Sequence, residues 1–362
     1  MFDFPKKMAF GLDLSDRSLK IVQFKKYRDN LSLSHFVKTD IPSGIVRRGE
    51  IKKEKELINI LKTSLKETKG GPLRNKRVVC SLPEEKVFIR VIQLPLMKEE
   101  EIAQAVRWEA EAHIPMAADE VYMDWQVIKS AINNPGQIDI LVAAAPRELV
   151  DSYLSFLKNS GLRPIALEPE SVAVVRSFIK DGESKPTVIV DIGTTGVNFV
   201  VFSDGAIRFT SHIRISGQLL EEAIAKNLKI GKKEAHQLKI KVGLDETKQK
   251  GAIYRALKPL IDDLVQQIGK YIDFHYDNIA HLRAKEKKIA QILLCGGDAL
   301  LINLSSYLEQ KLKIPVKAGS PLIGASMFSA KNKKIPSTKT IFSEKEILVY
   351  NTAIGLALNE ND

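Results

Sequence analysis

The stretch Asp13-Leu-Ser-Asp-Arg-Ser-Leu-Lys-Ile-Val-Gln-Phe24 is repeated in outline by Asp191-Ile-Gly-Thr-Thr-Gly-Val-Asn-Phe-Val-Val-Phe202, and the two align over twelve positions without a gap. Each copy follows an apolar strand, turns through an acid and small residues, and returns as a second apolar strand. The pattern predicts a β-hairpin that is built twice. Because such turns expose backbone N–H groups and hydroxyls, two of them facing each other would grip a polyphosphate.

A third element follows near the end of the chain, from Ile289 to Leu301. It predicts an apolar strand that runs into Gly296-Gly297 and then an amphipathic helix, with Leu301, Leu304 and Leu308 as its buried stripe. The two glycines would let a flat ring lie against bare backbone. An adenosine would fit there.

This order of motifs, two phosphate loops and then an adenosine loop, resembles the actin/Hsp70-type ATPase superfamily. Within it the chain is similar to the PilM family of the type IV pilus assembly machinery, a relative of the division protein FtsA. The resemblance covers essentially the whole chain, and these stretches carry it: Phe10-Gly-Leu-Asp-Leu14, Arg48-Gly-Glu-Ile51, Pro95-Leu-Met97, Trp108-Glu-Ala-Glu-Ala-His-Ile-Pro115, Gly161-Leu-Arg-Pro164, Cys295-Gly-Gly297 and Ala353-Ile-Gly-Leu-Ala-Leu358. The stretch that begins at Trp108 is the most family-specific, because kinases and chaperones share the phosphate loops.

The fold that the resemblance implies is α/β: an actin-like, two-lobed fold with duplicated RNase H-like lobes. The first lobe core is expected at residues 1–83, 163–185 and in a C-terminal helix at 346–362. An FtsA-type strand-helix-strand-strand insert is expected at 84–162. The second lobe core is expected at 186–215 and 289–345, with a helical subdomain at 216–288 that closes over the nucleotide.

The resemblance also implies roles for individual residues. Asp13 and Asp191 stand where the two hairpins open, and their carboxylates could bind the water ligands of a Mg²⁺ ion that bridges β- and γ-phosphates. Asp191 is the candidate catalytic residue, with Glu168 a weaker alternative. The expected nucleotide-binding residues are Asp13, Ser15, Asp16, Ser18 and Lys20 in the first lobe and Gly193, Thr194, Thr195, Gly217, Lys239, Gly296, Gly297 and Asp298 in the second.

Two places in the chain, residues 15–17 and His236, depart from the family pattern. Ser15 stands where the first loop normally has Gly, and Asp16 and Arg17 follow in place of small residues, so phosphate would approach less closely and meet a like charge. His236 stands where the adenosine helix usually has Glu, although Lys239 keeps its place. ATP is therefore expected to act mainly as a structural or switching ligand with slow or undetectable hydrolysis, and Ser15→Gly is expected to raise affinity or turnover.

Composition narrows the class of protein. The chain of 362 residues is 44% hydrophobic, enough for two domains, and no apolar run reaches the ~20 residues of a membrane helix. The first residues lack the apolar core of a signal peptide, and Cys80 and Cys295 read as buried thiols in a reducing cytoplasm. The six histidines show no metal-binding or hydrolase spacing, and Gly-x-Ser-x-Gly is absent.

The formal charge of +11 is spread over mixed-sign helix faces with no interleaved aromatic residues, which argues against nucleic acid. The excess charge suits an anionic membrane surface or an acidic partner segment.

The expected function is that of a cytoplasmic ATP-binding adaptor of pilus assembly. By resemblance it binds the N-terminal cytoplasmic tail of PilN, a single-pass membrane protein, in a groove between the first lobe and the insert. It would thereby sit at the inner membrane and meet other platform or motor proteins, with self-association open. The alternatives are an FtsA-like division or filament protein, a type II secretion component and a small-molecule kinase. FtsA-type chains end in a basic amphipathic helix, which the acidic ending Leu358-Asn-Glu-Asn-Asp362 does not match.

Overall fold

The computed structural model describes residues 8–27, 30–111, 114, 116–128, 136–180, 182–280, 288–321 and 344–359. The chain divides into two compact units. Unit 1 is built from segments 1–128, 136–181 and 320–362, and unit 2 from 129–135 and 182–319. The finer division into four parts stays a prediction. Residues 112, 113 and 115, part of the stretch that begins at Trp108, lie outside the described residues, as do 360–362.

The elements in chain order are β1 (Phe10–Leu14), β2 (Ser18–Tyr27), β3 (Asn30–Asp40), β4 (Val46–Arg47), β5 (Glu50–Ile51), α1 (Glu54–Lys66), β6 (Arg77–Leu82), β7 (Phe88–Pro95), α2 (Glu99–Glu111), β8 (Val121–Ile128), β9 (Gln137–Pro146), α3 (Arg147–Asn159), β10 (Arg163–Pro169), α4 (Glu170–Phe178), β11 (Thr187–Ile192), β12 (Val197–Ser203), β13 (Ala206–Ile213), α5 (Gly217–Leu228), α6 (Lys232–Val242), α7 (Ala252–Ala280), β14 (Gln291–Cys295), α8 (Leu304–Leu312), β15 (Val316–Ala318), α9 (Glu344–Val349) and α10 (Asn351–Ala357).

The sheets of the two units share one strand order and pairing pattern. Unit 1 orders its strands β10-β6-β1-β2-β3, and unit 2 orders its strands β15-β14-β11-β12-β13. In each, the first hairpin strand pairs antiparallel with its neighbour along the chain and parallel with the strand on its other side. The predicted duplication and the actin-like α/β class are confirmed.

One detail of the hairpins differs from the prediction. The sequence placed Asp13 and Asp191 in the turns, but both lie inside their strands. Asp13 pairs across the hairpin with Lys20, and Asp191 pairs with Asn198. Lys20 and Asn198 occupy the same place in the two copies, so the repeat holds at the level of strand register.

The insert strands pair antiparallel in the order β7-β9-β8, with β9 in the middle, and have their own core. Ile102, Val106 and Ala110 of α2 are buried in that core, as their spacing predicts. The helix α3, which continues directly from β9, packs elsewhere. Tyr153 and Phe156 of α3 lie fully buried in the core around β1 and β6 of unit 1.

The third predicted element begins its helix later than expected. Leu301, Leu304 and Leu308 are all buried, but α8 starts only at Leu304. Asn303 adopts the left-handed conformation with φ of 63°, which interrupts the helix between Leu301 and Leu304.

Helix α10 is buried along its whole length, and glycines make that possible. A Cβ on Gly355 would lie 1.7 Å from the carbonyl oxygen of Ala173 in α4, and one on Gly11 of β1 would lie 2.1 Å from the carbonyl oxygen of Ala353. Such separations are far below van der Waals contact, so the close approach of α10 to α4 depends on Gly355 and its close approach to β1 depends on Gly11.

We therefore expect Gly355→Ala to lower the free energy of unfolding of unit 1 by about 3 kcal/mol, the upper end of ordinary overpacking. Urea denaturation followed by circular dichroism measures it. Gly269 in α7 is the matched control because a Cβ there meets only Leu312 Cδ2 at 3.9 Å. Gly269→Ala should stabilise by up to about 1 kcal/mol through helix propensity. Equal effects of the two variants would contradict the close-packing explanation.

Candidate functional site

The two hairpin loops close with the same hydrogen bond. The backbone N–H of Ser15 donates to the carbonyl of Ser18 at 2.9 Å, and that of Gly193 donates to the carbonyl of Gly196 at 2.9 Å. Each loop therefore presents two residues at its tip, Asp16 and Arg17 in unit 1 and Thr194 and Thr195 in unit 2.

The unit 2 loop is held from behind by the N-terminus of α5. The N–H of Gly217 donates to the carbonyl of Gly193 at 3.0 Å, and the N–H of Gln218 donates to the carbonyl of Thr194 at 3.1 Å. In a trans peptide the C=O and the following N–H point in opposite directions. The N–H groups of Thr194 and Thr195 are therefore directed away from α5, on the side where both threonines are exposed.

The same loop rests on His212 of β13. A Cβ on Gly196 would lie 2.2 Å from the ring of His212, whose Nδ1 lies 2.8 Å from Asn198 Oδ1. Only a glycine lets the loop lie this close to the imidazole. Gly196, which the sequence predicts as a donor of the loop together with Gly193, Thr194 and Thr195, thus also has a packing reason to be glycine.

Gly296 and Gly297 lie beside the loop, at the end of β14. Gly296 has φ of +88°, and a Cβ there would lie 2.3 Å from Asp191 Oδ1, so no side chain fits. Gly297 is exposed, and a Cβ there meets no described atom within 4 Å beyond its chain neighbours. Open space thus lies above Gly297, as the predicted adenosine floor requires.

Lys239 is the most buried charged side chain of this region, with 3% of it exposed. Its Nζ lies 2.6 Å from Asp298 Oδ1 and 2.8 Å from Glu221 Oε1. It also donates to the carbonyl of Gly217 at 3.4 Å. The ammonium group thereby ties α5, α6 and the turn after β14 together, since a buried charge is stable only when it is paired and hydrogen-bonded.

Glu221 belongs to this site, although the sequence did not indicate it. It follows Gly217 by one helical turn of α5, which was the available signal. Burial raises the pKa of Glu221, but hydrogen bonds from His236 and Lys239 outweigh burial and leave its pKa below 4.5. His236, the departure from the family pattern, thus contacts Glu221 through Nδ1 at 2.7 Å.

In unit 1, the side chains of Ser15 and Asp16 are engaged within the protein. The Ser15 hydroxyl donates to the carbonyl of Ser18 at 3.0 Å and so closes its own loop. Asp16 accepts from the backbone N–H of Arg48 at 2.6 Å and from that of Gly49 at 2.8 Å. Both oxygens of Asp16 are therefore directed at the β4–β5 turn.

Asp13 is nearly fully buried beneath this loop. Its Oδ2 lies 2.7 Å from Lys20 Nζ, and its Oδ1 accepts from the Ser81 hydroxyl at 3.4 Å. Within the described part of the chain, no three His, Cys, Asp or Glu side chains come together as a metal site. The assignment of Asp13 and Asp191 to Mg²⁺ stays a prediction.

Glu168, the weaker candidate base, has a structural role. Its two oxygens accept from the guanidinium of Arg176 at 2.7 and 2.9 Å, and Arg176 also donates to the carbonyl of Gly355 at 2.9 Å. The Asn359 amide contacts Glu168 as well. Glu168 therefore fastens α4 to α10.

The comparison with protein families agrees with this architecture. A model of the family "Type IV pilus assembly protein PilM" matches residues 11–361, nearly the whole chain. The chain belongs to this family. It also superposes on a chain of the structure "PilM-PilN type IV pilus biogenesis complex" with a TM-score of 0.78 and 25% identity, covering 99% of this chain and 100% of that one.

More distant relatives share parts of the sequence or the fold. The cell division protein FtsA of Pseudomonas aeruginosa is 24% identical over 217 residues, which are 56% of this chain and 49% of FtsA. The chain thus spans about half the length of the curated FtsA relatives it matches. MreB 5 of Spiroplasma citri bound to AMPPNP shares the fold at a TM-score of 0.54 and 14% identity, over 89% of this chain and 93% of that chain. No described helix is long and apolar enough to span a membrane.

The lowered pKa of Glu221 gives a pH prediction. A carboxyl group whose pKa is lower in the folded than in the unfolded state stabilises the fold when the pH is above its unfolded-state pKa, here near 4.5. This stabilisation is lost as the pH falls through the folded-state pKa. We expect Glu221→Gln to melt at a lower temperature than wild type at neutral pH, with a difference that narrows below about pH 4.5. Thermal melts from about pH 7 to about pH 3 measure it. Glu234→Gln, on the exposed face of α6, is the control. A difference in Tm between Glu221→Gln and wild type that stays constant across that pH range would contradict the stabilising role of the Glu221 carboxylate.

Proposed function

We propose that the chain is an ATP-binding adaptor of the type IV pilus assembly machinery. The observation that carries the proposal is the unit 2 loop, whose carbonyls are held by α5 so that the N–H groups of Thr194 and Thr195 face outward. Outward N–H groups and hydroxyls at a tight turn are what phosphate oxygens bind. MreB 5, which shares the fold and is bound to AMPPNP, supports a nucleotide as the ligand.

The residues around the loop suit the rest of the nucleotide. Gly297 leaves room for a ring beside the turn that carries Asp298. In this arrangement Lys239 holds Asp298 and Gly217 in place for the ligand. In unit 1, the buried Asp13 carboxylate fixes the position of the Lys20 ammonium at 2.7 Å.

Asp191 is the residue we propose for the metal, holding Mg²⁺ through water. The bound ion would neutralise charge on the phosphates. Asp13, which the sequence also assigns to the metal, is in contact with Lys20 and Ser81 within unit 1. We expect hydrolysis to be slow, because ATP hydrolysis needs a group that orients the attacking water. Of the two candidates for this role, Glu168 is bonded to Arg176 and Asp191 is already proposed to hold the metal.

The test compares two exposed glycines of unit 2. A Cβ on Gly297 or on Gly231 meets no described atom within 4 Å, so neither Gly297→Leu nor Gly231→Leu should disturb the folded protein by a clash. ATP-Mg at 100 times Kd should stabilise wild type and Gly231→Leu by about 2.7 kcal/mol, measured as a rise in Tm. Gly297→Leu should lose this rise because its side chain fills the ring position. A wild-type Tm that ignores millimolar ATP-Mg, or an unchanged response in Gly297→Leu, would contradict the site.

The insert is the region we propose for the partner. Leu96, with 69% of its surface exposed, and Trp108, with 72%, are large apolar residues on the outside of β7–α2. Exposed aromatic residues of this size are typical anchors of protein interfaces. The family match and the PilM–PilN complex support a PilN-like N-terminal cytoplasmic tail as the partner, docked as an extended peptide that links the chain to the inner membrane.

Trp108→Ala should weaken binding of that peptide, measured by calorimetry, by about thirtyfold, a hot-spot loss of about 2 kcal/mol. Its Tm and its response to ATP-Mg should stay unchanged because Trp108 is exposed. Phe274→Ala, which removes an exposed aromatic ring from unit 2, is the matched control and should bind normally. Full affinity of Trp108→Ala would place the partner surface elsewhere.

A further inference from the structure

A cavity of about 420 Å³ lies between β13 and α7 of unit 2. Aromatic rings close the packing of the two elements at one end, where Phe209 lies against Tyr271 and Phe274 with ring centroids 5.5 and 5.2 Å apart. Gln267 and Asp263 precede Tyr271 by one and two turns of α7, so they follow the same side of the helix. Their side chains line the cavity where the aromatic contact ends.

The cavity lies behind the loop of Gly193 to Gly196. His212, one of its lining residues, is the ring on which Gly196 rests, and Leu219 belongs to the first turn of α5, which holds the loop carbonyls. The N–H groups at the loop tip are directed away from α5. The cavity is therefore distinct from the proposed phosphate site and needs no nucleotide to form.

Two opposite charges line the cavity without pairing. Arg214 and Asp263 are both exposed, and within the described part of the chain neither side chain has a hydrogen-bond or ion-pair partner. A guanidinium group binds a carboxylate through two parallel N–H bonds, and a carboxylate accepts bonds from an ammonium group. A ligand that carries both charges would therefore satisfy both side chains at once.

Apolar side chains also line the cavity. Ile215 is buried, Leu260 is half-buried and Leu219 is 39% exposed. An apolar group placed over an exposed leucine removes apolar surface from water, which favours binding. The cavity volume lies within the range of small-molecule sites, about 300 to 1,000 Å³. The ligand that fits this lining has two opposite charges on an apolar body.

We propose that the cavity binds a small zwitterion with an aliphatic body, of the class of apolar amino acids and dipeptides. Its carboxylate binds the Arg214 guanidinium, its ammonium group binds the Asp263 carboxylate, and its aliphatic part covers Leu219. This site goes beyond the proposed function, because it lies within unit 2 and uses neither ATP nor the partner surface of the insert.

Three related probes test the charge requirement on the full chain. Ligand-observed NMR titrations measure the Kd of leucyl-leucine, of N-acetyl-leucyl-leucine, which lacks the ammonium group, and of leucyl-leucinamide, which lacks the carboxylate. Either cap should weaken binding about fivefold, the upper end for an exposed ion pair. No saturable binding of leucyl-leucine, or equal affinity for all three probes, overturns the proposal. Weakening by one cap alone also overturns it, since the site would then recognise the end of a chain.

Two substitutions assign each charge to its partner. Arg214→Gln should bind leucyl-leucine and leucyl-leucinamide equally, and Asp263→Asn should bind leucyl-leucine and N-acetyl-leucyl-leucine equally, because substitution and cap remove the same contact. Lys270→Gln and Asp273→Asn, at exposed positions of α7, are the matched controls and should keep the wild-type order of affinities. A cavity variant that also keeps that order overturns the site. If a variant does not fold, the order of the three probes on wild type decides.

Discussion

A tight turn whose N–H groups face outward must be held by something behind it, and each unit meets this constraint differently. In unit 2 the support is backbone: the first N–H groups of α5, which have no partner within their own helix, bind the carbonyls of Gly193 and Thr194. In unit 1 side chains add to the backbone: the carbonyl of Arg17 accepts from the N–H of Ile41 at 2.8 Å, the Ser15 hydroxyl closes the loop, and Asp16 fastens it to the turn between β4 and β5. The same hairpin was duplicated, and its supports diverged.

The supports explain why the two loops differ in composition. A loop held through its own carbonyls can consist of Gly and Thr, which leaves its outer face small and polar. A loop held through a carboxylate must carry that carboxylate, so Asp16 replaces a small residue. The departure that seemed unfavourable for phosphate therefore has a structural role in unit 1, because it binds the N–H groups of Arg48 and Gly49.

Much of this could be predicted from the sequence, because local pattern governs it. The duplicated hairpin, the strands around it and the stripe Ile102, Val106 and Ala110 follow from periodicity. The contacts that define the site do not, because they join residues far apart in the chain. Neither the role of Asp16 against Arg48 nor the packing of Tyr153 into the core of β1 has a local signal. Glu221 was missed since its partners Lys239 and His236 lie on the next helix. The placement of Asp13 and Asp191 inside strands depended on where pairing ends, which composition determines poorly.

We propose that phosphate binds to the N–H groups of Thr194 and Thr195. A crystal structure of the chain with AMPPNP and Mg²⁺ would show the position of the phosphates. We expect phosphate oxygens within hydrogen-bond distance of those two N–H groups and the base above Gly297. Nucleotide bound elsewhere, with the loop of Gly193 to Gly196 making no contact to it, would show that this loop is not the phosphate site.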